Sequence, residues 1–164
     1  MTFLNDKLPR VLLAAMMAVL IVNLLAGVFL RYVMTEITDF FDLDMIRYTW
    51  VEEVGEFTLA WMTLIGAAVG IREGVHFTLH LGVSRLSAPL RRAIGVFNAL
   101  LIAAFGGLAA WHGWGISRLN TELTSPALEI NLAWLYGASV IGGALIALFG
   151  LRLARDVRRG DAAI

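Results

Sequence analysis

No cysteine occurs in the 164 residues. Disulfides, thiolate metal sites, thiol redox chemistry and cysteine nucleophiles are therefore excluded together. Charge is also scarce. Asp, Glu, Lys and Arg make up 16% of the chain, where a soluble domain carries about a quarter. Apolar residues take their place, at 59% and a mean hydropathy of +0.77. Such a chain belongs in a membrane. Acids and bases balance at thirteen each, so the electrostatic information lies in where they sit. No G-x-S-x-G, H-E-x-x-H or phosphate-cradling glycine loop is present. GVSRL at 82–86 does not fit a nucleophile elbow. No catalytic residue is assigned, and no enzyme is expected.

What is present is four long apolar runs. A bilayer core needs about 20 apolar residues in helical form. The runs are Val11–Leu30, Val54–Ile71, Ala93–Ile116 and Leu132–Leu151. With their interfacial turns, the expected spans are 11–33, 50–71, 93–116 and 131–151. No water satisfies peptide groups in hydrocarbon, and the runs are too long and unalternating for barrel strands, so each span must be helical. The first run is too long for a signal-peptide core and lacks a clear A-x-A site before Arg31, so it is read as retained. The fold class expected is an all-α integral membrane protein of one domain, 1–164, with no internal repeat.

Lys and Arg set the orientation. Ten lie before the first span, between the second and third, or after the fourth, and three lie on the opposite side. The positive-inside rule places both termini in the cytoplasm. Tyr32, Tyr48, Trp50, Trp111, Trp114, Trp134 and Tyr136 fall near the outer ends, as an interfacial belt would.

The connections differ in character. Residues 34–53 form an acidic outer loop, read as solvated, in which Phe40, Phe41, Met45 and Ile46 could lie on the membrane surface. The inner segment HFTLHLGVSRLSAPLRR begins at His76. Its period fits strand or helix, but an isolated strand at a membrane surface would leave its backbone unpaired. The reading is an interfacial amphipathic helix over 76–87, apolar face against the lipids. Ser87 and Pro89 suit a restart into the third span. The second outer loop, 117–131, is short and holds Pro126. The tail from Arg152 is basic and read as frayed.

Helices in lipid associate through small residues. In the second span, Glu52, Glu56, Ala60, Thr63, Ala67 and Gly70 share one side, with a Gly66-x-x-x-Gly70 pair close by. Val54, Phe57, Trp61, Leu64 and Ala68 share a bulkier one. The carboxylate side is thus expected to meet protein. The third span offers Ala103–Gly107, Gly106–Ala110 and Ala109–Gly113, and the fourth Ala138–Gly142 and Gly143–Ala147. These faces either pack the bundle itself or receive a larger helical partner.

Each polar candidate has a bland alternative. His76 and His80, with Glu73 nearby, could ligate a metal, but no third ligand is evident; they are read as part of the interfacial helix and no metal is assigned. His112 has no second membrane histidine to share a haem and is read as packed or interfacial. Glu56 is the best ion or proton candidate, because intramembrane carboxylates are functional by default. An anchored helix start is the preferred reading, since carboxylates suit a helix N-terminus. Arg31 could pair with Glu52, Glu53 or Glu56.

The order of these features resembles a known family. A span ends in Arg31-Tyr32. Trp50-x-Glu52-Glu53 opens the next, followed by Gly66-Ala67-Ala68, Arg72 and Gly74-x-His76. Leu123, Pro126, Trp134 and Tyr136 stand in the last loop and span. This is similar to the small membrane subunit of TRAP (tripartite ATP-independent periplasmic) transporters, the DctQ-like family. The resemblance implies a non-catalytic scaffold in a bacterial inner membrane. Its implied partners are a large multi-span subunit, which moves substrate and sodium by an elevator motion, and a periplasmic binding protein that delivers an organic acid. Sodium would bind the large subunit, so no cofactor is expected here, and no nucleic acid. Arg31, Trp50, Glu53, Arg72 and His76 match the family pattern. With Glu52, Glu56, Gly66 and Gly70 they form the set expected at a partner interface or in a structural role. The chain departs from the pattern in a longer acidic loop, in His80 where an acid is expected, and in the lack of a proline near Val140. Two other readings compete: a small oligomeric transporter or channel using Glu56, and an assembly subunit of another membrane complex.

Overall fold

The computed structural model describes residues 2–41, 48–73 and 87–160, with side chains from residue 7 onward. Residues 76–86 of the expected interfacial helix 76–87, with His76 and His80, and the Met45-Ile46 pair fall outside the described residues.

Among the described residues every regular element is helical. Helix α1 (Thr2–Phe29) passes through a π-helical turn (Leu30–Met34) into α2 (Thr35–Phe40). Then come α3 (Thr49–Arg72), α4 (Ala88–Leu119) and α5 (Ala133–Arg159). By length and composition, Lys7–Phe40, α3, α4 and α5 can each cross a membrane. All four expected spans are therefore present as helices. Ser87 does precede the restart, and its carbonyl accepts from the Arg91 amide at 3.0 Å.

Two boundaries correct the sequence reading. The loop expected from residue 34 begins instead after Phe40. Hydroxyls bond back along the helix here: Thr35 Oγ1 donates to the Arg31 carbonyl at 2.5 Å, and Thr38 Oγ1 to the Thr35 carbonyl at 2.9 Å. These bonds supply partners to carbonyls around the π-turn, whose wider register loosens the regular ladder. The tail expected to fray from Arg152 is helical to Arg159. Gly150, Ala154 and Val157 recur at helical spacing and are buried, so packing carries the helix past the apolar run. Gly160, at φ +85°, then ends it in the left-handed conformation typical after a helix.

The contacts gather into two units. One holds residues 1–63 and 117–135, and the other 64–116 and 136–164. In the second unit α4 and α5 meet backbone to backbone. A Cβ on Gly106 would lie 2.5 Å from the Ala147 amide nitrogen, and one on Gly143 would lie 2.6 Å from that of Ala110. A Cβ on Gly113 would reach Ser139, and one on Gly150 would reach Ala103. The small residues of these two spans therefore do pack the chain itself. Gly107 faces open space.

Within this unit α3 packs with residues from both of its sides. Ala68 and Ile71 are buried with Ile146, while Leu64 and Ala67 pack against them. Gly142 lies under Leu64, with room for no Cβ. Gly66 and Gly70 are half-buried and Thr63 is exposed. A glycine on α5 supplies the close approach, so α3 can offer its bulky residues to the contact.

Gly143→Leu should therefore force α4 and α5 apart, at a cost of roughly 1–3 kcal/mol or more. Gly107→Leu should leave the isolated chain unchanged. Thermal unfolding in detergent, followed by tryptophan fluorescence, compares the two; equal midpoints would refute the backbone-contact account.

Candidate functional site around Arg31, Glu52 and Glu53

The first unit is held by polar groups. Asn23, the one strongly polar residue of α1's apolar run, donates from Nδ2 to the Val51 carbonyl at 2.7 Å. Both residues are buried. Small residues let the helices approach here: a Cβ on Gly27 would lie 2.8 Å from Val51 Cγ1, and one on Gly55 would lie 3.4 Å from Asn23 Nδ2. The sequence shows Asn23 as the one strongly polar residue of its span, with no partner indicated. A single amide in an apolar span, with glycine four residues on, was the available signal.

Above this crossing, Arg31 pairs with Glu52 at 2.8 Å. The side chains are 72% and 61% exposed, so the pair contributes at most about 1 kcal/mol. Arg31 stands inside the π-turn, where one added residue per turn changes the direction of its side chain.

Glu53 is adjacent in sequence but sits on another side of α3, about 100° around the helix. It is only 7% exposed. Its two oxygens accept the backbone amides of Ala127 and Leu128, each at 2.8 Å. The Ser125 side chain, itself buried, stands beside the same carboxylate. Successive amides converging on a carboxylate make a small anion nest, with hydrogen bonds strengthened by the charge. Pro126 has a fixed φ and no N–H, which suits the residue just before those two donors.

The connection between α4 and α5 is built to hold that nest. Thr124 and Asn131 form an isolated antiparallel bridge. The Ser125 amide donates to the Ile130 carbonyl at 2.8 Å, and the Leu132 amide to Leu123 at 2.9 Å. Glu129 takes a left-handed φ of 54° to close the turn. Asn131 donates to the Thr121 carbonyl and accepts the Ala133 amide at 2.7 Å, capping the start of α5.

Glu56 is not the glutamate that Arg31 pairs with. Arg31, the intrachain partner considered for it, is engaged with Glu52, which is one turn nearer the helix start. Among the described residues no hydrogen bond or ion pair to Glu56 occurs, and its side chain is exposed. Glu52, Glu56, Leu59 and Thr63 recur at helical spacing and are all exposed. This side of α3 is thus left uncovered among the described residues. Trp50, 41% exposed, stands at the helix start. Gly66, Gly70 and Arg72 belong to the second unit. His112 is exposed, and no group of three or more potential metal ligands occurs among the described residues.

Removing the Glu53 carboxylate with Glu53→Ala would orphan two backbone donors, a loss on the order of 2–4 kcal/mol. Hydrogen exchange should accelerate at the Ala127 and Leu128 amides. Arg31→Gln should stay within about 1 kcal/mol of wild type. Unchanged exchange in Glu53→Ala would show that the loop holds its shape without the clasp.

The comparisons with known proteins agree with this layout. Residues 18–159 match the family model for the DctQ component of tripartite ATP-independent periplasmic transporters. The chain is also 27% identical, over 171 aligned residues, to the C4-dicarboxylate TRAP transporter small permease protein DctQ of Rhodobacter capsulatus. That alignment covers 91% of this chain and 75% of the relative. The chain, with four helices able to cross a membrane and a family match over most of its length, belongs to the DctQ family of TRAP transporter small permeases.

Proposed function

We propose that this chain is a fixed, non-catalytic scaffold that anchors a large sodium-coupled elevator subunit. The observation that carries the reading is the exposed Glu52–Glu56–Leu59–Thr63 stripe of α3. An unpaired carboxylate on a spanning helix is expensive against lipid. A polar group of a neighbouring helix would remove that expense, so the stripe suits a protein partner. Family membership supports a tripartite system, in which a periplasmic binding protein delivers substrate to the large subunit. The relative's name supports an organic acid as that substrate. Sodium and substrate would then bind the large subunit.

The placement follows from charge. The positive-inside rule supports both termini in the cytoplasm, and family membership supports a bacterial inner membrane. The whole chain acts as one membrane domain. Arg31, Trp50, Glu52 and Glu56 belong to the partner-facing side, and Glu53 shapes it from within. Gly66, Gly70 and Arg72 serve the second unit or its partner contact.

The exposed Glu56 also motivates the second reading, an oligomeric channel with this carboxylate on its pathway. That reading requires flux through proteoliposomes of the chain alone, lost in Glu56→Gln. Under the scaffold reading no such flux appears, and Glu56→Ala lowers recovery of the large subunit by roughly three- to tenfold. That range corresponds to an interhelical polar contact of about 0.6–1.4 kcal/mol. Normal recovery of the complex together with altered substrate choice would overturn it.

A further inference from the structure

A half-open groove of about 850 Å³ runs beside the α1–α3 crossing. Leu20, Leu24, Val28 and Leu59 make its apolar wall, with Asn23 also lining it. Arg31, Glu52, Tyr32 and Tyr48 stand at its mouth. We propose that this groove holds one phospholipid with a zwitterionic, primary-ammonium headgroup, that is, a phosphatidylethanolamine. The proposal needs only that α1 and α3 lie in a bilayer; where the scaffold reading also holds, the lipid fills the space between Arg31, Glu52 and Leu59 and the partner, and Glu56 and Thr63 make the direct contact.

Length is the first argument. From Leu20 to Tyr32 a helix rises about 18 Å, close to the roughly 15 Å depth of one leaflet's hydrocarbon. An acyl chain fits along the wall with its headgroup level with Arg31. Volume is the second. The space lies within the usual range for a small-molecule site, about 300–1,000 Å³.

Charge then selects the headgroup. Arg31 and Glu52 bond each other, yet both remain mostly exposed. The guanidinium has five N–H donors and the carboxylate several lone pairs, so each keeps capacity toward a ligand. A phosphate would accept from Arg31 while an ammonium two carbons away donates to Glu52. A phosphatidylglycerol headgroup would satisfy Arg31 but bring its anion against Glu52 with nothing to donate as a cation. A choline headgroup has no N–H for Glu52. The mouth is thus a fixed dipole matched to an ethanolamine phosphate. Tyr32 and Tyr48 sit where amphipathic rings favour the headgroup level.

The full chain can be reconstituted with equal amounts of ethanolamine, glycerol and choline phospholipids, re-extracted gently and weighed by native mass spectrometry. One ethanolamine lipid should remain, preferred over the glycerol lipid by roughly fivefold, about the effect of one exposed ion-pair contact. Glu52→Gln should abolish the preference, and Arg31→Gln should abolish retention. Val28→Trp fills the groove without touching either charge and should also abolish retention, with helicity by circular dichroism confirming the fold. Equal retention of the glycerol lipid by wild type would overturn the headgroup assignment. Retention unchanged in Val28→Trp would overturn the groove. So would a photo-crosslinker at Leu24 that captures a polypeptide, and no lipid, in the assembled transporter.

Discussion

Helices surrounded by hydrocarbon gain nothing by hiding apolar side chains from one another, because lipid tails are equally apolar. Adhesion must come from close packing or from polar groups that find no water. The two units of this chain answer that constraint differently. In one, glycines at 106, 113, 143 and 150 strip side chains from the contact, so that main chains touch. In the other, Asn23 and Glu53 send side chains to backbone groups of other segments. Large parts of every helix stay exposed: no more than 28% of any helix's most apolar window is buried, and that maximum belongs to α5. Such exposure suits a subunit surrounded by lipid and a larger neighbour.

The elements with regular periods were the legible ones. Four apolar runs predicted four helices, and the start of α4 followed from Ser87 and Pro89. The pairing of Arg31 with one of three nearby glutamates was also visible. The choice of Glu52 was not, because it depends on the π-turn that reorients Arg31, and a π-turn leaves no period to read. The extensions of the first helix to Phe40 and of α5 to Arg159 were missed for a common reason. Polar composition was taken as the end of helix, whereas Thr35 and Thr38 hydrogen-bond locally, and Ala154 and Val157 continue a buried face.

The clasp between Glu53 and the α4–α5 connection was beyond the sequence altogether. Its partners lie 74 and 75 residues away and are backbone amides, which every residue but proline possesses. Nothing in residue identity marks Ala127 and Leu128 as donors. Only Pro126 hints at a turn. The side of α3 that packs within the chain was illegible for a related reason: small residues on one helix do not fix which partner they meet. Close approach needs only one small partner, and Gly142 on α5 plays that part for Leu64.

Two adjacent glutamates thus carry opposite tasks, and helical geometry is what separates them. A step of one residue turns the side chain by about 100°. Glu53 then points to a shielded nest of amides, while Glu52 points outward to Arg31, where solvent and headgroups compete for it. A buried carboxylate with full hydrogen bonding is costly to alter, because its donors would be left unpaired. An exposed ion pair is cheap to alter and easy to re-form with another ligand. The first property suits a residue that sets the shape of a loop. The second suits a residue that meets something outside the chain. Glu56 completes the sequence one turn further along, exposed and without a partner among the described residues.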